Sequence, residues 1–273
     1  MNKGLTSLLI SIIIFVVVVG FIFLKNFNIL PTQLSIVNNQ KSAEVSWQFG
    51  DGKWSASGNP PECPSPLTFP APVDISLVSG ILYPGQERGS DYKPHGGFRF
   101  DNRDNNIQVR AIMDGYILKA SRYEDFGGEI QNFLFYVNDC GIMVMHDHLL
   151  ILSPKLQAVF DKLPLNKNGD SRTTYISPKV YIKKGEVLAL KIGYEKFPGG
   201  YKNKNVFVDF GLYDLRKTNG IDYNSLFLAK HPNINEYGKY AVCWFDYLSI
   251  EDEATVRNLP ASGNEGKMSD YCK

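Results

Sequence analysis

The sequence predicts a mainly β domain, an antiparallel β-sandwich or partial barrel, behind an N-terminal transmembrane helix. Aromatic residues make up 13% of the chain and glycines number 24, which favours strands and turns over helices. From about Pro84 to Arg216, short runs of β-branched and aromatic residues recur between Gly and Asp/Asn turns. In that region a short helix is predicted only for residues 156–163. So many strands with so little helix indicate an all-β architecture.

The first element is the apolar segment from Leu5 to Leu24, twenty residues without a charge. That length is enough to cross a hydrocarbon core of ~30 Å. Neither a small-x-small cleavage site nor a lipid-anchor cysteine follows it, so it predicts an uncleaved signal-anchor. A cleaved signal peptide and a buried core helix are the alternatives. Residues 1–4 then form a short cytoplasmic head, and the main domain of this single-pass membrane protein is extracytoplasmic.

Three regions are expected beyond the membrane segment. Residues 25–83 read as a stalk and a first β layer, because Gly, Pro, Ser and Asn are frequent there. Residues 84–216 form the main β domain, and residues 217–273 form a C-terminal extension. Within the main domain, strands are predicted in "IQVRAIMDGYILKAS", "NFLFYVND", "GIMVMHDHLLIL", "VYIKKGEVLALKI" and "KNVFVDFGLYD", with turns at Asp-Gly and Lys-Gly pairs.

The charges of the chain are balanced, with 29 basic and 28 acidic side chains and a net charge of +1. No field of one sign would therefore recruit nucleic acid or hold the domain on an anionic membrane surface. The four cysteines contain no Cys-x-x-Cys pair and fit an oxidising compartment. A disulfide between Cys243 and Cys272 would fix the C-terminal end, and free or buried thiols are the alternative.

Five segments occur in an order typical of one enzyme family: "HGGFRFD", "AIMDGYILKAS", "HDHLL", "YIKKGEVLAL" and "VFVDFGL". With them the chain resembles the lysostaphin-like zinc endopeptidases, the LytM-type murein hydrolases with the duplicated hybrid motif fold. The resemblance covers residues 84–214. It implies a zinc site in which a His-x-x-x-Asp segment supplies two ligands and a later His-x-His strand supplies the third ligand and a catalytic histidine. A separate histidine followed by Leu helps to activate the water.

The resemblance assigns roles to three places in this chain. His95 stands where the first zinc ligand belongs, and His148, followed by Leu149, matches the separate catalytic histidine. The His-x-His strand falls on Phe207-Val208-Asp209, followed by Phe210. In the family, three protein ligands leave the fourth zinc position open for a water whose pKa the metal lowers.

This chain departs from the family's ligand set. Arg99 replaces the metal-binding aspartate, Asp209 replaces the metal-binding histidine, and Phe207 replaces the second catalytic histidine. An arginine has no lone pair to offer a metal and stays charged. Its guanidinium does match a carboxylate with two parallel hydrogen bonds. We therefore expect an Arg99–Asp209 salt bridge in the structural place of the zinc, and no cofactor is favoured.

Two alternatives keep the zinc. In the first, Asp101 replaces the lost aspartate beside His95 and Asp209, although six residues of straight strand span roughly 20 Å. In the second, residues 146–148, His-Asp-His, are the His-x-His pair, because residues i and i+2 of a strand share a face. His231 precedes a proline outside the motifs and is expected at the surface.

The sequence thus predicts a membrane-anchored domain with a degenerate zinc site and a non-catalytic role. That role would be to bind a cell-envelope polymer, or to activate or scaffold an envelope enzyme, in the groove where substrate lies in the family. The alternative is an active, divergent zinc metalloendopeptidase that cleaves cell-wall or other peptides, with His148 as the base or oxyanion partner. A purely structural envelope protein is the third possibility.

Overall fold

A computed structural model describes residues 44–89, 91–101, 103–125, 127–195 and 206–273. All of these belong to one compact unit. The predicted membrane segment, Leu5 to Leu24, lies outside the described residues. Among the residues that are described, no helix is both long enough and apolar enough to cross a bilayer.

The described chain is mainly β, as the sequence predicts. Its strands are β1 (Ser46–Gly50), β2 (Lys53–Ser57), β3 (Gly80–Leu82), β4 (Gln86–Arg88), β5 (Asp91–Lys93), β6 (Gly96–Arg99), β7 (Val109–Arg110), β8 (Gly115–Glu124), β9 (Ile130–Val137), β10 (Ile142–Leu152), β11 (Leu165–Asn166), β12 (Thr174–Tyr175), β13 (Tyr181–Ile182), β14 (Val187–Ile192) and β15 (Phe207–Asp214). Its α-helices are α1 (Pro154–Phe160), α2 (Ser225–Lys230) and α3 (Ile250–Asn258).

One large mixed sheet of eleven strands dominates the described part of the chain. Its main path runs β11-β8-β9-β10-β15-β6-β3, with β12 and β13 paired to β8, and β14 paired to β10 and β7. The pairs are antiparallel except β11 with β8, which is parallel. The path has two ends, so the sheet is open and does not close into a barrel. The predicted Asp114–Gly115 turn falls at the start of β8, where Gly115 is the first residue of the strand, and the Lys184–Gly185 turn falls between β13 and β14.

Side chains alternate between the two faces of the central strands, as the period of a strand requires. On β15, Val208, Phe210 and Leu212 enter the larger core, together with Trp244 and Phe245 from the C-terminal extension. The opposite face carries a smaller core that is covered by the β1–β2 hairpin through two buried tryptophans and by the buried Tyr240. The two tryptophans are Trp47 and Trp54.

The C-terminal extension is part of the fold. Pro260 and Ser262 form backbone hydrogen bonds with Ile81 and so cover the free edge of β3, which blunts an edge that could otherwise pair with another chain. The structure contains the Cys243–Cys272 disulfide that the sequence suggested, and a second disulfide joins Cys63 to Cys140. Both close loops of the unfolded chain and thereby stabilise the folded state.

Candidate functional site

A groove with a volume of about 510 Å³ opens on the face of the sheet that carries the smaller core. Odd-numbered residues of β10 and β15, among them Asp147 and Asp209, line the groove because they point away from the larger core. We define the groove by a polar floor, a cationic side and an aromatic side. The polar floor consists of His95, Asp147, His148 and Asp209. The cationic side consists of Arg88, Lys93 and Arg99. The aromatic side consists of Tyr123, Phe133, Phe135, Phe207, Tyr213 and Tyr237.

Asp209 lies at the centre of the floor. Its Oδ2 is 3.1 Å from Nε2 of His95 and 3.7 Å from Nε2 of His148. The contact with His95 is within ion-pair distance but lacks the angle of a good hydrogen bond. Asp209 faces Gly97 across the β6–β15 ladder. A Cβ at position 97 would lie 3.1 Å from Oδ1 of Asp209, so the glycine leaves room for this carboxylate.

Three neighbouring groups favour the ionised form of Asp209. Burial alone would raise the pKa of its carboxyl, but His95, His148 and the Arg88 guanidinium outweigh burial and hold that pKa well below its usual range. Burial also lowers the pKa of His95, and the nearby carboxylate only partly opposes this. Arg88 is held by hydrogen bonds from Nη1 to the carbonyl of Tyr83 (2.6 Å) and from Nη2 to that of His95 (2.9 Å). We conclude that the protein itself favours the ionised form of Asp209.

His148 has a left-handed backbone, with φ at +60°. At this point β10 changes partner from β15, which ends its pairing at Asp147, to β14, which begins at Leu149. The register with β9 shifts between His146 and Leu149, as in a β-bulge. A non-glycine residue at positive φ costs free energy and persists where the surroundings hold it. The bulge therefore re-aims the His148 ring into the groove.

Four contacts hold His148 in this conformation. Its N–H donates to Oδ1 of Asp147 at 2.7 Å, and its carbonyl accepts from the N–H of Gly193 at 2.9 Å. Its Nδ1 is 3.0 Å from the hydroxyl of Tyr194. Its ring packs on Phe207 with centroids 4.4 Å apart. The position of Nε2 near Asp209 is thus fixed by both neighbouring strands.

Asp147 helps to hold the backbone of His148 through its carboxylate. Its Oδ1 accepts hydrogen bonds from the Tyr123 hydroxyl (2.9 Å) and from the backbone of His148. Burial raises the pKa of the Asp147 carboxyl, and the neighbouring Asp209 raises it further, while His148 lowers it. Two carboxyl groups on adjacent strands, Asp147 and Asp209, therefore have pKa values that shift in opposite directions.

The predicted Arg99–Asp209 salt bridge does not form. Among the described residues, the ion-pair partners of Asp209 are His95 and His148, and Arg99 Nη2 pairs with Asp101 Oδ1 at 3.2 Å. The register explains this, because Arg99 lies opposite Phe207 and Asp209 lies opposite Gly97. The Arg99 guanidinium lies 5.8 Å from the centroid of the Phe207 ring and pairs with Asp101, in the turn that follows β6.

The side chains of the floor do not fit the zinc centre that the resemblance implies. Asp101 is half exposed and paired with Arg99, so the structure does not bring it to His95 and Asp209. Arg99, which the resemblance aligns with a ligand, cannot ligate a metal. In the part of the chain that the structure describes, no group of three His, Cys, Asp or Glu side chains is placed to hold an ion.

The interpretation of residues 146–148 as a metal-binding His-x-His pair is wrong. The bulge at His148 turns its ring away from the face that His146 occupies. His146 is fully buried in the larger-core face, where its ring lies 5.3 Å from that of Phe210 and 6.2 Å from that of Tyr136. Neither ring nitrogen forms a well-aligned hydrogen bond with a described residue.

The expectation that His231 lies at the surface is also wrong, since its side chain is 3% exposed. Its Nε2 lies 3.3 Å from Glu87 and its Nδ1 3.3 Å from Asp91, both on the β4–β5 hairpin. A hairpin 140 residues earlier in the chain thus covers the imidazole.

Sequence reasoning missed four residues of the site: Arg88, Tyr123, Asp147 and Tyr194. Asp147 stands between the two histidines of "HDHLL", and its place next to a family histidine was the available signal. The other three come from segments outside the family motifs, so their approach to the groove depends on tertiary structure.

We compared the chain with known protein families and curated proteins, and no family model and no curated protein matches it. The resemblance to the lysostaphin-like endopeptidases therefore depends on the five segments and their order.

Proposed function

We propose that this chain is a membrane-anchored, extracytoplasmic lysostaphin-like domain whose groove binds a cell-envelope polymer without cleaving it. One observation carries the proposal: Asp209, in the place of a metal-binding histidine, lies between the rings of His95 and His148, and with Arg88 they hold its pKa well below the usual range. A carboxylate whose ionised form the protein already favours has little need of an ion.

The groove nevertheless keeps the features of a binding site. Its volume of about 510 Å³ is in the range of ligand pockets in proteins, roughly 300–1,000 Å³. Partly exposed aromatic rings, among them Phe133 and Phe207, offer apolar contact area. Lys93 and Arg99 lie at the rim, each in an ion pair with a nearby aspartate, and can exchange that partner for an acidic group of a ligand. An envelope polymer that carries both acidic groups and apolar faces, such as peptidoglycan, matches this combination.

The test is cosedimentation of the full-length chain, purified in detergent micelles, with purified peptidoglycan sacculi. We expect the chain to pellet with the sacculi and to release no soluble fragments, with or without added zinc. Phe207→Ala combined with Arg99→Ala removes one aromatic and one cationic contact and should weaken binding by about tenfold or more. Ile250→Ala, a change at a side chain 90% exposed on α3, is the control that keeps binding.

Two results would contradict the proposal. Equal binding by the groove variant and the unaltered chain would place the contact elsewhere. Release of soluble fragments that requires zinc and is lost in His95→Ala would instead identify an active peptidase.

A further inference from the structure

The β4–β5 hairpin forms one wall of the groove but has little support of its own. It supplies Arg88, Asp91 and Lys93 to the groove lining. Its two strands, three residues each, pair with each other and are not part of the large sheet. A two-stranded hairpin of this kind is marginal in water, so its position depends on the segments around it.

One of these segments is the C-terminal tail, residues 263–273. The buried side chain of Gln86 donates from Nε2 to the carbonyls of Gly266 (2.9 Å) and Met268 (2.5 Å). Ser269 Oγ donates to the carbonyl of Pro84 at 2.6 Å. These bonds hold the strand that begins the hairpin.

The tail also contacts the hairpin through backbone and ring atoms. The N–H of Asp270 donates to the carbonyl of Gly85 at 3.1 Å, and the Tyr92 hydroxyl donates to Oδ2 of Asp270 at 2.7 Å. Gly85 has φ +72°, and a Cβ there would lie 2.8 Å from the Tyr271 ring. The glycine is therefore required both by the backbone conformation and by the close approach of the tail.

The Cys243–Cys272 disulfide anchors the tail. Cys243 is buried and precedes Trp244 and Phe245, which belong to the larger core. Without the disulfide, the tail would depend on hydrogen bonds, each worth about 1 kcal/mol net, and on the packing of the Tyr271 ring against the two cores.

On its other side the hairpin contacts the α2 region, where Glu87 and Asp91 lie beside Lys230 and His231 and the buried Tyr92 ring packs on Phe227 with centroids 5.1 Å apart. Arg88 also donates to the carbonyls of Tyr83 and His95.

We propose that the disulfide-anchored tail is a redox-sensitive strap that sets the position of the groove wall. Opening the Cys243–Cys272 bond releases the tail, and the β4–β5 hairpin then loses the support on one of its two sides. This regulation rests on the proposed function, because it acts on the groove assigned above to ligand binding.

The chemistry needs an external dithiol as reductant. One thiolate of the dithiol attacks a sulfur of the protein disulfide, and a mixed disulfide forms as the S–S bond breaks. The second thiol of the reductant then displaces the remaining protein thiol. The protein gains two electrons and two protons as two cysteine thiols, and the dithiol is oxidised to a cyclic disulfide.

Hydrogen–deuterium exchange of the full-length chain in detergent micelles tests the strap without any ligand. Cys243→Ser combined with Cys272→Ser should exchange ~tenfold faster, or more, at residues 84–93 and in the tail. Cys63→Ser combined with Cys140→Ser is the matched control, because it removes the other disulfide and should leave residues 84–93 unchanged. Gln86→Leu, which keeps both disulfides, should also speed exchange in the tail.

The strap is refuted if exchange at residues 84–93 stays unchanged while the tail becomes fast, or if both double variants accelerate the hairpin equally. If the Cys243/Cys272 variant does not fold, exchange in Gln86→Leu decides, and an unchanged tail and hairpin in that variant overturns the proposal. Because exchange is read without sacculi, these results stand whether or not polymer binding is found.

Discussion

His146 makes the fold sensitive to acid in a way that one substitution can remove. Its ring is fully buried between Tyr136 and Phe210, and burial lowers its pKa from the ordinary 6.5 to about 3, with a backbone group of Asp209 only partly opposing this. The unfolded chain therefore takes up this proton first as the pH falls below 6.5. Protonation favours the unfolded state, so the stability of the folded chain declines progressively from pH 6.5 towards pH 3.

The size of the effect follows from these two pKa values. Each pH unit in which only the unfolded chain carries the proton costs about 1.4 kcal/mol. From pH 6.5 to pH 4 this amounts to about 3 kcal/mol of unfolding free energy. His146→Leu has no group to titrate and no unpaired nitrogens. At pH 7 we expect the free energy of unfolding of His146→Leu to equal that of the unaltered chain or to exceed it by about 1 kcal/mol. At pH 4 we expect this difference to be larger by about 3 kcal/mol.

The assay is denaturant unfolding of both proteins at pH 7 and pH 4. Tyr136→Phe is the control, because it removes the hydroxyl that accepts from the N–H of Ile112 in the same layer and does not titrate in this range. It should lower stability equally at both pH values. A difference between His146→Leu and the unaltered chain that does not change with pH would refute the reasoning.

Three further predictions concern the site and its supports. His148→Gly should be more stable than His148→Ala by about 1 kcal/mol in unfolding experiments, because φ is +60° at this position. A more stable His148→Ala, the usual order within a strand, would contradict this. Gly96→Ala should cost more than 3 kcal/mol, since its Cβ would lie 2.1 Å from the carbonyl of Leu82, whereas Gly50→Ala, with nothing within 4 Å, should stay within about 0.5 kcal/mol. Asp209→Asn should lower stability at pH 7 by about 1–3 kcal/mol. The folded pKa of Asp209 is depressed, so its contribution is present above the ordinary value of 3.8 and lost as the pH falls below it, and acid titration should show the gap between the two proteins closing there.

The strands of the main domain could be predicted from the sequence because their pattern is local. The turn at Gly185, for example, has φ +82° and separates two short apolar runs. Helix α1 also forms where the sequence predicts a helix, although it begins at Pro154 and ends at Phe160. Local composition does not show that β10 pairs first with β15 and then with β14. The bulge at His148 could therefore not be predicted.

The meeting of His95 and Asp209 in the groove agrees with the roles that the resemblance gave them, but their pairing partners could not be predicted. Arg99 had a nearer carboxylate in Asp101, two residues later in the turn after β6, and a local pair costs less side-chain ordering than a diagonal contact across the sheet. The burial of His231 depends on a hairpin far away in sequence, which no local pattern reports.

The zinc content of the chain tests the central claim most directly. The full-length protein in detergent micelles would be stripped of metal, dialysed against zinc and measured by elemental analysis. We expect no stoichiometric zinc in the unaltered chain and one zinc per chain after Arg99→Asp together with Asp209→His, because these two changes restore the ligand types of the family beside His95. One zinc per unaltered chain that disappears in His95→Ala, or a well-folded double variant that binds none, would contradict the account.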